Sequence, residues 1–435
     1  MNDGLFAPNG LHRACYWLAL LLPGSLLISL SIAELLSVIT VVVMVGALFK
    51  GDLNLPCQSF GISIKWPFFL AMVFSALCVL PLATEQYLTT DFIDEVRSLR
   101  WMLFWLCLVF VFQRAGDAAI RSGLALMAGL LCLISLYGAL QFWCGIDFSG
   151  RETGLHLSGE RYRAQGTYSL PQSYAGVVGM FAFLLFPLSV ARLTGCREPG
   201  QHAAWLLPVA TLAGIVAVLY SGTRGAYLGL FWSVLLGLMM MERAGDLGRR
   251  AALGVVVLTL GLAALTLLPT GSGFVDKIAF AGEEPDRSLS VRLPLWQAYL
   301  AMITDSPWVG YGAGVSSSHL PDYYDVIGAN DADFISHAHS NYLQAWVDGG
   351  AAAFAAYNGL IITMLIITFR GVKAAAHSEQ RLLFIGLFIA QIYFHLFGLT
   401  ESNFLDIKVN HALIVIWSLA LAGPTLASPA AQSRS

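Results

Sequence analysis

QSYAGVVGMFAFLLFPLSVA, residues 172–191, runs for twenty residues without a charged side chain. At 1.5 Å per residue, a helix of that length reaches across the roughly 30 Å hydrocarbon core of a bilayer. Comparable apolar runs recur along the 435 residues. The chain is 57% hydrophobic and 12% charged, with a mean hydropathy of +0.70. A soluble domain carries about 25% charged residues, so the charge here is too sparse to coat a water-facing surface. The composition predicts an all-α polytopic membrane protein and excludes an ordinary soluble globule.

About twelve transmembrane helices are expected, over 14–32, 35–49, 66–83, 97–113, 122–144, 172–191, 203–220, 224–241, 251–269, 342–369, 382–399 and 410–427, with the first break near Ser31–Glu34. The first is read as a retained helix rather than a signal peptide, because no small-residue cleavage site follows and the apolar sequence continues. Twelve spans put both termini on one side. That side holds 14 basic and 7 acidic residues, against 10 and 20 on the other. By the positive-inside rule it is cytoplasmic. The seven cysteines show no metal-ligand spacing and read as small buried hydrophobes, with no disulfide expected.

The inner connections are short, so function is expected on the acidic outer side. Three outer segments are long: 84–97, 145–171 and 270–341. The chain therefore divides into helices 1–9 (1–269), a large loop (270–341) and helices 10–12 with a short tail (342–435). Within the loop, 290–304 can form an amphipathic helix with Leu293, Trp296, Leu300 and Ile303 on one face. A GYGAG turn follows.

Few cations stand on that acidic face. Arg161 and Arg163 lie in ERYRAQGTYSLPQSYAG, Arg224 in SGTRGAYLGL and Arg292 in DRSLSVRLPLW. Arg224 opens an apolar helix, where it either snorkels to headgroups or binds an anion. Ser221, Gly222 and Thr223 can cap that helix, and its N-terminus favours a phosphate. Arg292 either points to water or joins this site. Arg163 either pairs with Glu160 or Glu152 or does the same. Together the arginines suit a substrate bearing two or more phosphates.

HAHSNYLQAWVDGG, 337–350, places His337 and His339 just before an apolar helix. Imidazole can take a proton from a hydroxyl. The plainer alternative is a hydrogen-bonded helix start. His337, His339, Asp331 and Asp333 cluster in sequence but match no strong metal signature. Asn341, Tyr342 and Gln344 are candidates for orienting the site or binding sugar hydroxyls. Asp348 either orients a histidine or pairs with another helix. His395, Glu401 and His411 read as packing between the last two spans.

These motifs, in this order and on one side, resemble the O-antigen ligase and polymerase superfamily. The carriers are SGTRGA, the loop residues Arg292, Pro294, Trp296, Asp305, Pro307, Gly310, Gly312 and Gly314, and the histidine motif with His339 in the histidine position. Ser340 stands where the family has Asn, and Asn341 follows it. Arg163 matches the family's outer arginine before a Gly-Thr-aromatic turn. The resemblance spans roughly residues 15 to 425. It implies a GT-C-like fold in the bacterial inner membrane with a periplasmic site, and an inverting glycosyl transfer that needs no metal or other cofactor. The donor would be O-antigen on undecaprenyl diphosphate and the acceptor a lipid A–core sugar hydroxyl; no nucleic acid is expected. His339, Arg224, Arg292 and His337 are the catalytic candidates. Arg163, Arg161, Asn341, Gln344 and Tyr342 are the substrate-binding ones. The nearest alternative is an O-antigen polymerase using the same donor; a secondary transporter is an alternative of another class.

Overall fold

A computed structural model describes residues 10–52, 58–83, 100–148, 154–155, 157–158, 161–194, 205–245, 248, 287–329 and 337–423. The helices are α1 (Gly10–Ile28), α2 (Leu30–Phe49), α3 (Lys65–Val79), α4 (Arg100–Cys144), α5 (Pro171–Leu193), α6 (Leu206–Tyr220), α7 (Arg224–Arg243), α8 (Arg287–Asp305), α9 (Ser316–Ile327), α10 (Asn341–Ala374), α11 (Ser378–Phe397) and α12 (Ile407–Ala422). Two antiparallel pairs of two-residue strands, Gln58–Ser59 with Ile62–Ser63 and Leu157–Ser158 with Arg161–Tyr162, and a 3-10 turn at Leu80–Ala83 complete the described elements. Among the described residues, eight helices are long and apolar enough to cross a membrane; α6 and α12 are apolar but shorter. The chain is an all-α polytopic membrane protein.

Eleven of the twelve expected spans fall on described helices. The span 251–269, the domain boundary at 269, and the acidic segment 84–97 lie outside the described residues. Between the first two helices the break comes at Ser29, whose extended backbone (φ −155°, ψ 131°) opens α2. Glu34, expected in that break, instead lies inside α2 and pairs with Arg100 at 3.1 Å. The 45-residue α4 covers two expected spans and is interrupted at Gly116, which takes φ 77°. Of the five described cysteines, Cys15, Cys78 and Cys107 are buried, Cys132 is half-buried and Cys144 is exposed.

Solvation by lipid sorts the helices. α2 turns Leu35, Val38 and Val42 outward at helical spacing, as a lipid-facing helix must. α5 is apolar on every side, and each residue from Ser173 to Ala191 is buried. It lies among α6, α7, α11 and α12. Small residues let the helices approach: a Cβ at Gly386 of α11 would run into the Leu184 carbonyl of α5, and one at Gly179 of α5 into the Tyr393 ring. Polar groups at this depth bond to one another, as Tyr393 donates to the Ala175 carbonyl at 2.8 Å and Trp417 to Gln391 at 3.1 Å.

The 34-residue α10 breaks at Gly350 (φ 71°, ψ −171°). Only glycine reaches this backbone without strain, and a Cβ there would meet the Trp308 backbone. The break matters because it frees carbonyls. Val347 and Asp348 accept from the amides of Tyr311 and Gly312, each at 2.8 Å, while Ala313 donates to the Cys78 carbonyl at 2.9 Å. The GYGAG turn thus fastens the segment between α8 and α9 to α3 and α10 through its backbone.

α8 forms close to its expected bounds, but it buries another face. Leu295, Ala298, Tyr299 and Met302 are fully buried, whereas Leu293 and Leu300 are 50% and 52% exposed. Of the expected stripe, Ile303 is buried and Trp296 half-buried; both faces are apolar, so periodicity alone does not separate them.

Candidate active site

His339, Ser340 and Asn341 lie alongside Glu401, Ser402 and Asn403, each partner 62 residues on. The His339 Nδ1 is 2.6 Å from Glu401 Oε1. The Ser340 amide donates to Ser402 Oγ at 3.1 Å. Asn341 Nδ2 donates to Asn403 Oδ1, its Oδ1 accepts from the Phe404 amide at 2.9 Å, and its own amide donates to the Gly398 carbonyl at 2.8 Å. Ser340 is the N-cap of α10. The residue before it, His339, takes φ 44°, a left-handed backbone rare for a side chain of this size.

The peptide between the two histidines is held from both sides. Trp296 Nε1 donates to the Ala338 carbonyl at 3.0 Å, and the Ala338 amide donates to Gln344 Oε1 at 2.9 Å. Gln344 donates in turn to Asp348 at 2.8 Å and to Ser316 at 3.2 Å. Asp348 therefore acts on the histidine motif through Gln344. Asn341 and Gln344 are buried and spend their amides on the protein itself. Tyr342 donates to the His395 carbonyl at 3.3 Å. All three bond within the framework that carries His339, as the first of their two expected roles, orienting the site, requires.

Glu401 is the residue that the sequence left among packing groups. Its carboxylate is 6% exposed as a residue and faces His339 with one oxygen and Arg292 Nη2 with the other, the latter at 3.5 Å. With Nδ1–H donated to the carboxylate, His339 keeps Nε2 as a proton acceptor. Its former companions stay elsewhere: His395 is buried in α11, and His411 lies 3.9 Å from Glu34. A glutamate three residues past the glycine that ends a helix was the available signal, but its partner sat 62 residues away.

Arg163 joins the SGTR turn. Its Nε donates to the Ser221 carbonyl at 2.8 Å and Nη2 to Thr223 Oγ1 at 3.2 Å, while the Ala164 amide donates to the Tyr220 carbonyl at 2.9 Å. Gln141 fixes this segment by accepting from the amides of Gln165 and Gly166. Thr223 occupies the N-cap of α7, with Arg224 first in the helix, yet its hydroxyl makes no capping bond. The expected side-chain cap is absent because that hydroxyl is turned to Arg163. Glu152 and Glu160, and the side chain of Arg161, lie outside the described residues.

Burial lowers the Arg163 guanidinium below its usual range, Tyr227 and Glu401 oppose this, and the like charges of Arg292 and Arg224 add to it. Arg163 therefore lies within electrostatic reach of Glu401, Arg292 and Arg224. His337 packs edge-on against His339, with ring centroids 4.3 Å apart. Burial holds its imidazole below 6.5, and His339 and Arg292 push it the same way against Glu401. His337, His339 and Glu401 offer ligand atoms within 4.8 Å of one another and form the group, among the described residues, that could hold a metal. Asp331 and Asp333, expected beside the histidines, lie outside the described residues.

A bundle of membrane helices, with arginines and a His–Glu pair collected where the helices end, defines a multi-pass membrane protein. Residues 209–358 match the family model described as O-antigen ligase, and the resemblance carried by the motifs is to that same family. The match includes Arg224, Arg292, His337 and His339, and stops short of Arg163 and Glu401. It implies ligase- or polymerase-type activity on lipid-linked polysaccharide. No curated protein matches the chain.

Proposed function

We propose that this protein is an O-antigen ligase: an inverting, metal-independent glycosyltransferase that moves polysaccharide from undecaprenyl diphosphate to a sugar hydroxyl of lipid A–core at the periplasmic face of the inner membrane. The observation that carries the reading is the Glu401 carboxylate shared between His339 and Arg292, with Arg163 and Arg224 close enough to be felt. In this reading the acceptor oxygen attacks the anomeric carbon while His339 Nε2 takes its proton. The anomeric C–O bond breaks, and its electron pair leaves with the diphosphate. Arg224 and Arg292 meet the developing charge, which is where preorganised cations lower a barrier most. Arg163, bonded to the turn that presents Arg224, supports them from one side. Displacement in a single step inverts the anomeric centre. Glu401 holds the imidazole tautomer and steadies the cation that forms.

Three guanidinium groups also argue for anion chemistry over a resident dication, which they would repel. The polymerase reading uses the same donor and the same site, and differs only in the acceptor. A transporter is less well supported, because the charges gather at one end of the bundle rather than at mid-depth.

Purified protein, lipid-linked glycan and lipid A–core, with chelator present, test the reading. Glycan joined to lipid A–core by wild type and not by His339→Ala is the expected result. Longer lipid-linked glycan with untouched lipid A–core would turn the assignment to polymerase. Loss of wild-type transfer on chelation would give His337, His339 and Glu401 a metal.

A further inference from the structure

His339 holds a backbone conformation that persists only where its surroundings over-determine it. Three parts of the chain provide that constraint. Gln344 of α10 takes the Ala338 amide, and Ser402 and Gly398 of the α11–α12 connection take the amides of Ser340 and Asn341. The third part is the outer loop, whose bond to this segment comes from Trp296 to the Ala338 carbonyl, 3.0 Å long. Trp296 and Arg292 lie four residues apart on α8, so they project from one side of it. A docked α8 brings the Arg292 guanidinium to Glu401 and the Trp296 indole to Ala338 together.

We propose that Trp296 is a positioning residue for His339: its indole N–H holds the Ala338 carbonyl and so fixes the strained turn that aims the imidazole. The inference rests on His339 being the base. Through α8, the group that meets the donor's charge and the group that sets the base's direction are parts of one rigid piece. A donor drawn to Arg292 therefore settles the geometry in which the acceptor's proton is taken.

The test uses full-length protein in which Trp296 is replaced by Phe and, separately, by the benzothienyl analogue that keeps the ring shape and lacks the N–H. Both are expected to lower kcat roughly tenfold, the worth of one hydrogen bond at a strained site, with the donor KM changed less than about twofold. Hydrogen–deuterium exchange over 338–341 is expected to quicken by a similar factor, while α11 exchanges as in wild type. Wild-type kcat and exchange in the benzothienyl protein would overturn the proposal. So would a loss of kcat with unchanged exchange, which would make the indole a substrate contact. Activity retained in His339→Ala would overturn the base reading and the proposal with it. Activity lost in His339→Ala, with the Trp296 variants at the wild-type rate, would overturn the proposal alone.

Discussion

The buried centre and the outer mouth of this protein are both densely packed, yet they are built on opposite principles. α5 is surrounded by other helices, and its contacts are mostly apolar or made through small residues such as Gly179, with a few hydrogen bonds such as that from Tyr393 to the Ala175 carbonyl. At the mouth, 338–348 mixes buried and half-buried residues, and its buried Ser340, Asn341, Gln344 and Asp348 are polar, each of them hydrogen-bonded. Apolar packing is non-directional and tolerates any partner of the right volume. Hydrogen bonds in a dry setting fix direction, and each costs heavily if one partner is lost. The centre supplies cohesion and the mouth supplies aim.

Substitutions on either side can break that contrast. The largest effect is expected from Glu401→Ala, which releases His339 and Arg292 at once. Transfer should fall at least about a hundredfold, the usual contribution of a positioned base, while the thermal midpoint moves little. Collapse of the fold instead would make the mouth a structural element. Gly386→Leu tests the other side. It forces a side chain against the Leu184 backbone and should cost about 1–3 kcal/mol, read as a lower melting temperature, with kcat per folded molecule preserved. Asn341→Ala lies between the two. It strands the Phe404 amide and the Asn403 side chain, with an expected cost of about 1–2 kcal/mol and a lower kcat together, unlike Gly386→Leu.

The smallest effect is one of pH. His337 takes its proton in the folded protein below 6.5, so the unfolded chain binds more protons just under that value. Stability therefore falls as pH is lowered through 6.5. His337→Gln should flatten that fall, seen as a smaller drop in melting temperature on acidification. An unchanged slope would show that His337 is not the group held neutral.

Much of the centre was legible in the sequence, because lipid demands apolar runs of a fixed minimum length, and such runs are local. The positions of α5, α7 and α11 follow from that demand alone. The histidine motif and Arg224 were legible for a related reason: polar groups at the ends of apolar helices are costly and therefore conspicuous. Glu401 was not, because its importance lies in two partners distant in sequence, and a carboxylate near a helix end has many uses. The buried face of α8 was legible only in part, since the expected stripe holds exposed Leu293 and Leu300 beside buried Ile303, and Leu295, Tyr299 and Met302 make another apolar stripe. The break at Gly350 was equally hidden. Two glycines in an apolar helix announce little until the amides of Tyr311 and Gly312 are seen to need carbonyls.

That break also orders the protein's biogenesis. The outer loop is made before α10, but its turn bonds to Cys78 behind it and to Val347 and Asp348 ahead of it. His339 then needs Glu401, from the connection between the last two helices. During synthesis the loop thus waits without its acceptors, and the site acquires its carboxylate only when the final pair of spans has been inserted. A nascent chain holding nine-tenths of the sequence would carry the three arginines and both histidines and still lack the group that gathers them.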